Sequence, residues 1–256
     1  MVKPYFETEL GKLYNGDCLE IMPGLKPKSI DLLVTDPPYG LNYNNGDLAF
    51  QWEAIFGGKL EKIKPNPIEN DGEEAHIIFR GMLKEGKRIL KKGACCCCCC
   101  GGGGGPKLPF ARWTLWMDEA IGFKQAVVWD KMGLGMGVHY RRNYEFVLIA
   151  QNGSPAHRWN GGNNTPNVWR IGKIIPSEKQ HPTQKPVGLN IKIIEIHSDP
   201  LDLVLEPFAG HGSTLVACER LNRQWIGIEI SEKYCEIAAK RIENESKQLK
   251  LFANAS

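Results

Sequence analysis

The sequence predicts an α/β fold in which a mostly parallel sheet carries helices on both faces. Strand-like apolar runs alternate with segments of helical periodicity along most of the chain. One apolar strand is stopped by Asp36-Pro37-Pro38, and another, near residue 203, runs into a glycine turn and a helix. The length of 256 residues suits one substantial domain, so residues 1–256 are treated as a single domain.

Composition narrows the class of protein further. Hydrophobic residues make up 42% and charged residues 24% of the chain, which excludes wholesale disorder. The formal net charge of +3 gives no overall polycationic signal for nucleic acid. Residues 1–10 lack an apolar signal-peptide stretch, and no apolar run has the length of a membrane span. We therefore expect a soluble, cytoplasmic protein that does not bind membranes.

The first half of the chain contains a predicted buried strand over 29–35, whose apolar run comes from Ile30, Leu32, Leu33 and Val34. Residues 41–75 then turn to Asn, Gly, Lys, Pro and Glu, which predicts a long mobile loop inserted into the domain. Apolar residues near helical spacing predict a helix over 74–92.

Six consecutive cysteines, Cys95 to Cys100, precede five glycines. Consecutive cysteines have neither the spacing of zinc ligands nor that of a disulfide framework, so we expect no metal site. We interpret residues 94–100 as a buried strand of reduced thiols, because the alternation requires a strand there. A merely repetitive sequence is the alternative.

The second half continues the alternation. Helices are predicted over 110–121, 186–197, 213–221 and 232–249, and strands over 124–129, 144–150, 201–205 and 225–230.

The segment from Glu206 to Thr214 is typical of a ligand-binding turn. A strand ends there, Gly210 and Gly212 permit a tight turn, and a helix begins, so backbone N–H groups face a ligand. Glu229 ends the next strand, where an acid commonly holds ribose hydroxyls. A third glycine and a P-loop lysine are both missing, which favours an adenosine ligand without phosphates, such as S-adenosylmethionine. A purely structural turn remains the alternative.

Asp36-Pro37-Pro38-Tyr39 directly follows the first buried strand, at the sheet end where α/β proteins bind ligands. The Asp36 carboxylate and the Pro37 carbonyl can both accept hydrogen bonds from one exocyclic amino group, and Tyr39 can stack on the base that carries it. A strand-terminating turn with a surface aromatic is the alternative.

Together these residues resemble the permuted (β-class) DNA amino-methyltransferases, which methylate adenine N6 or cytosine N4. The matching segments keep the family's order and cover nearly the whole chain: Asn15–Cys18, Thr35–Gly40, His181–Pro186, Glu206–Thr214 and Gly227–Glu229. The resemblance implies a Rossmann-like methyltransferase fold with a circularly permuted motif order, and a seven-stranded, mostly parallel sheet with one antiparallel strand.

The resemblance also implies the roles of individual residues. The catalytic residues it implies are Asp36, Pro37, Pro38 and Tyr39. The residues it places around S-adenosylmethionine are Asp17, Cys18, Asp36, His181, Thr183, Lys185, Glu206, Phe208, Ala209, Gly210, Gly212, Ser213, Thr214, Glu229 and Ile230.

The implied activity is methyl transfer to N6 of a flipped-out adenine in duplex DNA. Aspartate rather than serine at position 36 favours adenine over cytosine N4. RNA or a glutamine amide is an alternative substrate, although the glutamine enzymes usually carry Asn-Pro-Pro-Tyr. A catalytically inactive DNA-binding relative is the alternative of a different class, but Asp36, Gly210, Gly212 and Glu229 are all intact.

The candidate DNA-binding surface lies in residues 106–185, which hold eleven Lys and Arg but only five Asp and Glu, and five of the seven tryptophans. Arg141, Arg142, Arg158 and Arg170 are the candidate DNA contacts, and residues 151–180 form a short candidate target-recognition segment. The alternative is a solvated face over core aromatics. As partners we expect double-stranded DNA, with a homodimer and a cognate restriction endonuclease left open, in a bacterium or in a phage that infects one.

Overall fold

The computed structural model describes residues 3–39, 74–101, 109–134, 141–174 and 185–253, with side chains described up to residue 249. The predicted loop over 41–75 lies almost wholly outside the described residues, apart from Glu74 and Ala75, which begin a helix. Within the described residues no helix combines the length and the apolarity needed to cross a membrane.

Nine strands among the described residues form one mixed sheet. In chain order they are β1 (Phe6–Glu7), β2 (Gly11–Asn15), β3 (Ile30–Thr35), β4 (Leu90–Cys100), β5 (Phe123–Asp130), β6 (Tyr144–Gln151), β7 (Val168–Arg170), β8 (Leu203–Glu206) and β9 (Gln224–Glu229). Their order across the sheet is β1-β2-β9-β8-β3-β4-β6-β5-β7.

The helices of the described residues complete the alternation. They are α1 (Cys18–Ile21), α2 (Glu74–Ile89), α3 (Pro109–Ala120), α4 (Val187–His197), α5 (Ser213–Arg220) and α6 (Glu232–Ala253), with a 3₁₀ turn at Met22–Gly24.

The predicted α/β fold is confirmed, and the strand count is larger than expected. Seven strands, β2 to β6 with β8 and β9, match the number that the resemblance implies, and β6 runs antiparallel to both β4 and β5. The two additional strands are short edge strands, β1 antiparallel to β2 and β7 parallel to β5. Two or three residues are too few to give a periodic signal, so the sequence did not reveal them.

The cysteine run forms the middle of the core, as predicted. Cys95, Cys97 and Cys99 face one side of the sheet, where α4, α5 and α6 pack. Cys96, Cys98 and Cys100 face the other side, where α2 and α3 pack. Side chains alternate along a strand, so a strand covered on both faces needs apolar residues at every position. All nine cysteines are buried and unpaired.

Parallel pairing places the ends of β2, β9, β8, β3 and β4 at one edge of the sheet. We call it the carboxyl edge. It also receives the end of β5 and the start of β6, because β6 runs antiparallel to both of its neighbours. The opposite edge, where the parallel strands begin, is called the amino edge. Loops that bind ligands in such sheets follow the strands at the carboxyl edge.

Candidate active site at the carboxyl edge

Asp36 leaves β3 at the carboxyl edge, and Lys185 holds its carboxylate. The Lys185 ammonium lies 2.9 Å from each carboxylate oxygen of Asp36. The Tyr39 hydroxyl donates to Asp36 Oδ1 at 2.8 Å, and Lys185 Nζ lies 3.0 Å from that hydroxyl. Two parts of the chain that are distant in sequence, the Asp36–Tyr39 tetrapeptide and Lys185, therefore meet at one carboxylate.

The electrostatics of this group combine burial with opposite charge. Burial raises the pKa of Asp36, while the Lys185 ammonium opposes that rise. Although burial alone would lower it, the pKa of Lys185 is raised by the adjacent Asp36 and Glu145 carboxylates. Lys185 is thus a permanent cation at neutral pH and cannot serve as a proton acceptor.

The ring of Tyr39 stands edge-on to Trp113, with ring centroids 5.7 Å apart. Trp113 is fully buried and stacks on Phe79 at 4.2 Å, so it gives Tyr39 a firm support. The ring of each proline fixes its backbone φ angle, so Pro37 and Pro38 restrict the position of the Tyr39 backbone. The predicted catalytic tetrapeptide therefore has a defined shape at the carboxyl edge.

The predicted cofactor turn lies on the neighbouring strands. The Gly210 N–H donates to Glu229 Oε2 at 2.7 Å, and the Ser231 N–H donates to Glu229 Oε1 at 2.9 Å. Gly210 and Gly212 have φ angles of +49° and +73°, in the left-handed region that glycine tolerates. A side chain at Gly212 would crowd Ala238, whereas the space around Gly210 is open.

Glu206 supports this turn from below. Its carboxyl accepts hydrogen bonds from the Phe208 N–H at 3.1 Å and from the Thr214 hydroxyl at 2.9 Å. Burial raises the pKa of Glu206 well above its ordinary value. Phe208 packs against the core cluster on the α2 and α3 face.

Asp17 and Cys18 follow β2 at the same edge. Asp17 caps α1, because its carboxylate accepts the Leu19 N–H at 2.8 Å. The Cys18 side chain is buried, and burial raises the pKa of its thiol to about 12. The thiol thus belongs to the core, and it is the backbone of Cys18 that lies at the edge.

The remaining predicted cofactor residues have different placements. Ala209 and Thr214 are buried, and Ile230 is largely exposed. The Ser213 hydroxyl lies 3.3 Å from the Arg241 guanidinium. His181 and Thr183 lie outside the described residues. Lys185, predicted on the cofactor side, instead contacts the carboxylate of Asp36.

The structure adds two charged residues to the site that the sequence analysis missed. Glu145, on β6, lies 3.4 Å from the Lys185 ammonium and 3.1 Å from the ammonium of Lys131. The signal was present, since Glu145 is a charged residue near the start of an otherwise apolar strand. Its partners were invisible because they lie in other parts of the chain.

The candidate DNA contacts separate into two groups. Arg141 and Arg142 precede β6 and Arg170 ends β7, so all three lie at the carboxyl edge, and all three are exposed. Arg158 lies instead at the amino edge, where it forms ion pairs of 2.7 Å with Asp199 and 3.1 Å with Asp202. It lies across the sheet from Asp36 and is engaged by two carboxylates, so this placement does not support the predicted DNA contact.

The tryptophans of residues 106–185 are mostly core residues. Trp113, Trp129 and Trp169 are buried, and Trp159 is exposed near the amino edge. For these aromatics the alternative of a solvated face over core residues is correct.

One group of side chains in the described part of the chain has the spacing of metal ligands: Asp31, His157 and Asp202. Its atoms already have protein partners. Asp31 Oδ1 lies 2.6 Å from Lys91 Nζ and 2.7 Å from His157 Nε2, and Asp31 Oδ2 accepts the Leu203 N–H. These bonds tie the amino edge together.

Comparison with known proteins agrees with this geometry. The family model described as DNA methylase, for N6 and N4 methyltransferases, matches residues 30–240. The chain belongs to this family. Type II methyltransferase M2.LlaDCHI of Lactococcus lactis subsp. cremoris is 28% identical over 94% of this chain and 93% of its own length. DNA adenine methyltransferase YhdJ of Escherichia coli K12 is 26% identical over 93% and 84%.

Solved structures support the fold. The cytosine-N4-specific PvuII DNA methyltransferase superposes with a TM-score of 0.71 at 20% identity, over 96% of this chain and 95% of that one. The DNA modification methylase TTHA0409 of Thermus thermophilus, complexed with S-adenosyl-L-methionine, gives a TM-score of 0.65 at 21% identity, over 91% and 95%. The methyltransferase fold of the DNA methylase family is thereby confirmed.

Proposed function

We propose that this DNA methylase transfers a methyl group from S-adenosylmethionine to N6 of an adenine flipped out of duplex DNA. The observation that best supports this proposal is that two candidate sites lie next to each other at the carboxyl edge. The Asp36 tetrapeptide ends β3, and the glycine turn clamped by Glu229 follows β8, which is the direct neighbour of β3 in the sheet.

The residues of the turn fit S-adenosylmethionine. Open space in front of Gly210 lies beside the buried Glu229 carboxylate, where a ribose would be held. When bound, this cofactor supplies an electrophilic methyl group on a sulfonium. Asp17, Glu206, Phe208 and Ile230 complete the proposed cofactor side.

The tetrapeptide would orient the target. An exocyclic amino nitrogen is a weak nucleophile because its lone pair is conjugated with the ring. Hydrogen bonds to Asp36 and to the Pro37 carbonyl favour a more tetrahedral nitrogen, and Tyr39 offers a stacking face. Extruding a base costs roughly a few kcal/mol, which such stacking partly offsets. Asp36 also accepts or passes on the proton that the nitrogen releases after transfer.

We propose adenine rather than cytosine because the first residue of the tetrapeptide, Asp36, is an aspartate. By analogy with the family, an aspartate at this position favours adenine. Relatives support both bases, since YhdJ is named an adenine methyltransferase and the PvuII enzyme is cytosine-N4-specific. Cytosine N4 is therefore the second candidate. A catalytically inactive relative is disfavoured by the intact Asp36–Lys185 pair.

Duplex DNA would lie along the carboxyl edge, with Arg141, Arg142 and Arg170 as phosphate contacts. Residues 152–160 are hydrogen bonded at the amino edge, away from the proposed DNA. We therefore propose that only the second half of the segment 151–180 takes part in target recognition. The loop over 41–75 is a further candidate for reading the site.

The cellular setting follows from the same proposal. The type II relatives suggest a restriction–modification system with a cognate endonuclease, in the cytoplasm of a bacterium or from a phage that infects one. A homodimer is compatible with this role.

The test is methylation of duplex DNA with S-adenosylmethionine carrying a labelled methyl group, followed by digestion to nucleosides. We expect the label in N6-methyladenine. Label in N4-methylcytosine alone would select the second candidate, and DNA without label would overturn the proposed function.

A further inference from the structure

Four alternating charges extend from Asp36 into the sheet. Asp36 pairs with Lys185, Lys185 with Glu145, and Glu145 with Lys131, at 2.9, 3.4 and 3.1 Å. We call this series the charge chain. Its members come from the ends of β3 and β5, the start of β6 and the segment before α4, so the folded sheet assembles it.

Three members of the charge chain are largely shielded from water, and the fourth, Asp36, is 27% exposed. The side chains of Lys185, Lys131 and Glu145 are 9%, 16% and 21% exposed. A buried carboxylate is costly unless cations and hydrogen bonds compensate for the lost water. Lys131 donates a hydrogen bond to Glu145 Oε1 at 3.1 Å, whereas Oε2 has no hydrogen-bond partner among the described residues and faces the Lys185 ammonium at 3.4 Å.

Lys185 presents a difficulty for catalysis by Asp36. An ammonium that binds both carboxylate oxygens competes with the amino group that Asp36 must receive. A second carboxylate, that of Glu145, attracts the same ammonium from 3.4 Å, so the charge of Lys185 is shared between two carboxylates while its hydrogen bonds go to Asp36 and Tyr39.

We propose that Glu145 is a positioning residue of the reaction, which shares the Lys185 ammonium with Asp36 so that the Asp36 carboxylate stays open to the substrate amino group. This inference rests on the proposed function. Lys131 acts from the other side of Glu145 and keeps it ionised.

Among the described residues, the groups that face Asp36 come from several elements around it. They are Lys185, Tyr39, Glu145, Glu206 of β8, and the thiols of Cys98, Cys99 and Cys100 on β4. Burial raises the pKa of those thiols, so they stay neutral at ordinary pH. Lys185 and Glu145 are therefore the charges that act on Asp36 with opposite signs.

The test is the pH profile of the single-turnover methylation rate. Glu145→Gln removes a negative charge near Asp36, so the acid side of the profile moves to lower pH, and the plateau rate falls about tenfold as Lys185 settles on Asp36. Lys185→Met removes the positive charge, so the acid side moves to higher pH by about one unit or more. A loss of packing would not shift the two pH profiles in opposite directions. The shifts therefore distinguish a positioning role for Glu145 from a purely structural one.

The matched control is Glu236→Gln, which breaks a surface ion pair of 2.6 Å with Lys240 on α6. Its profile should superimpose on that of the wild type. A Glu145→Gln profile that also superimposes, or that loses rate without a shift, overturns the role of Glu145 while the methyltransferase stands. A wild type that methylates no DNA overturns both.

A second measurement covers variants that are too slow to assay. The carboxyl carbon resonance of Asp36, assigned by its loss in Asp36→Asn, can be titrated by NMR. Glu145→Gln should titrate at lower pH than the wild type, and an unchanged titration contradicts the inference.

Discussion

At the scale of single residues, Glu206 and Glu229 share one turn but face different surroundings. Glu229 accepts two backbone N–H groups at 2.7 and 2.9 Å, and these bonds fix the turn that would hold the cofactor. Glu206 is buried, and burial raises its pKa well above the ordinary value. We expect the Glu229 carboxylate to bind the cofactor and the Glu206 carboxyl to support the turn.

Glu229→Gln should weaken binding of S-adenosylmethionine by roughly 10- to 100-fold, because a charge-assisted hydrogen bond contributes about 1.5–3 kcal/mol. The glutamine NH₂ would also oppose a backbone N–H. Isothermal titration calorimetry measures the dissociation constant, with the exposed Glu232→Gln as the control. Unchanged affinity in Glu229→Gln would remove this residue from the cofactor site.

Glu206→Gln should change how stability depends on pH. A carboxyl whose pKa is raised by folding stabilises the fold below its unfolded pKa, and this contribution is lost as pH rises towards the folded pKa. Glutamine mimics the protonated form at every pH. The variant should therefore gain up to about 1.4 kcal/mol per pH unit over the wild type above the ordinary glutamate range. Urea unfolding at pH 4 to 8 measures the difference, and a constant difference contradicts the assignment.

At the scale of elements, β2 and β9 depend on close contact between Gly11 and Trp225. A Cβ added at Gly11 would overlap the indole of Trp225, which is fully buried. The Trp225 indole N–H donates to Glu219 at 2.8 Å, so the ring cannot move away cheaply. Gly11 is therefore required for β2 to add to the sheet.

Gly11→Ala should lower the free energy of unfolding by about 1–3 kcal/mol or more, since overpacking in a core has costs of this size. The matched control is Gly188→Ala, on the exposed face of α4, where nothing lies within 4 Å of the added Cβ. That change should stabilise by up to about 1 kcal/mol through helix propensity. Chemical denaturation of both variants checks the pair, and equal effects would contradict the packing argument.

The elements also show how far sequence reasoning reaches. The cysteine run was predicted as a core strand because the alternation required one, and β4 confirms it from Leu90 onward. By contrast, β2 was missed because GKLYN places only two apolar side chains in five positions. It is nonetheless held by parallel pairing with β9, a tertiary effect that overrides weak local preference.

The site shows the same limit. Asp36 and Glu229 could be found because each ends a buried strand beside a turn signal. The contact of Lys185 with Asp36 joins residues 149 positions apart, and no local pattern encodes it. The ion pairs of Arg158 could not be foreseen for the same reason, since only the folded chain reveals Asp199 and Asp202 as its partners.

At the scale of the whole molecule, the positive charge of residues 106–185 is divided between two edges of the sheet. Arg170 is exposed at the carboxyl edge, with only a long 3.8 Å pair to Asp130. Arg158 is engaged at the amino edge. The net charge of +3 thus conceals an uneven distribution, and we propose that the carboxyl edge is the one that faces DNA.

Arg170→Ala should weaken duplex binding and reduce the slope of log affinity against log salt by about one, as expected for the loss of one phosphate contact. Arg141→Ala and Arg142→Ala should act in the same direction. Arg158→Ala is the control, which should leave the slope unchanged and lower stability instead. Fluorescence anisotropy at several salt concentrations measures the slopes. A reduced slope in Arg158→Ala alone would reverse the assignment of the two edges.

The central claim is that the carboxyl edge around Asp36 is the catalytic centre, adjacent to but separable from the cofactor turn. The most direct measurement is the single-turnover rate of methyl transfer to duplex DNA by Asp36→Ala, with the cofactor dissociation constant measured on the same protein. The rate should fall by about a thousandfold or more, through loss of orientation and proton acceptance together, while cofactor affinity stays within about tenfold of the wild type, as one lost hydrogen bond implies. Methyl transfer at the wild-type rate by Asp36→Ala would contradict the account.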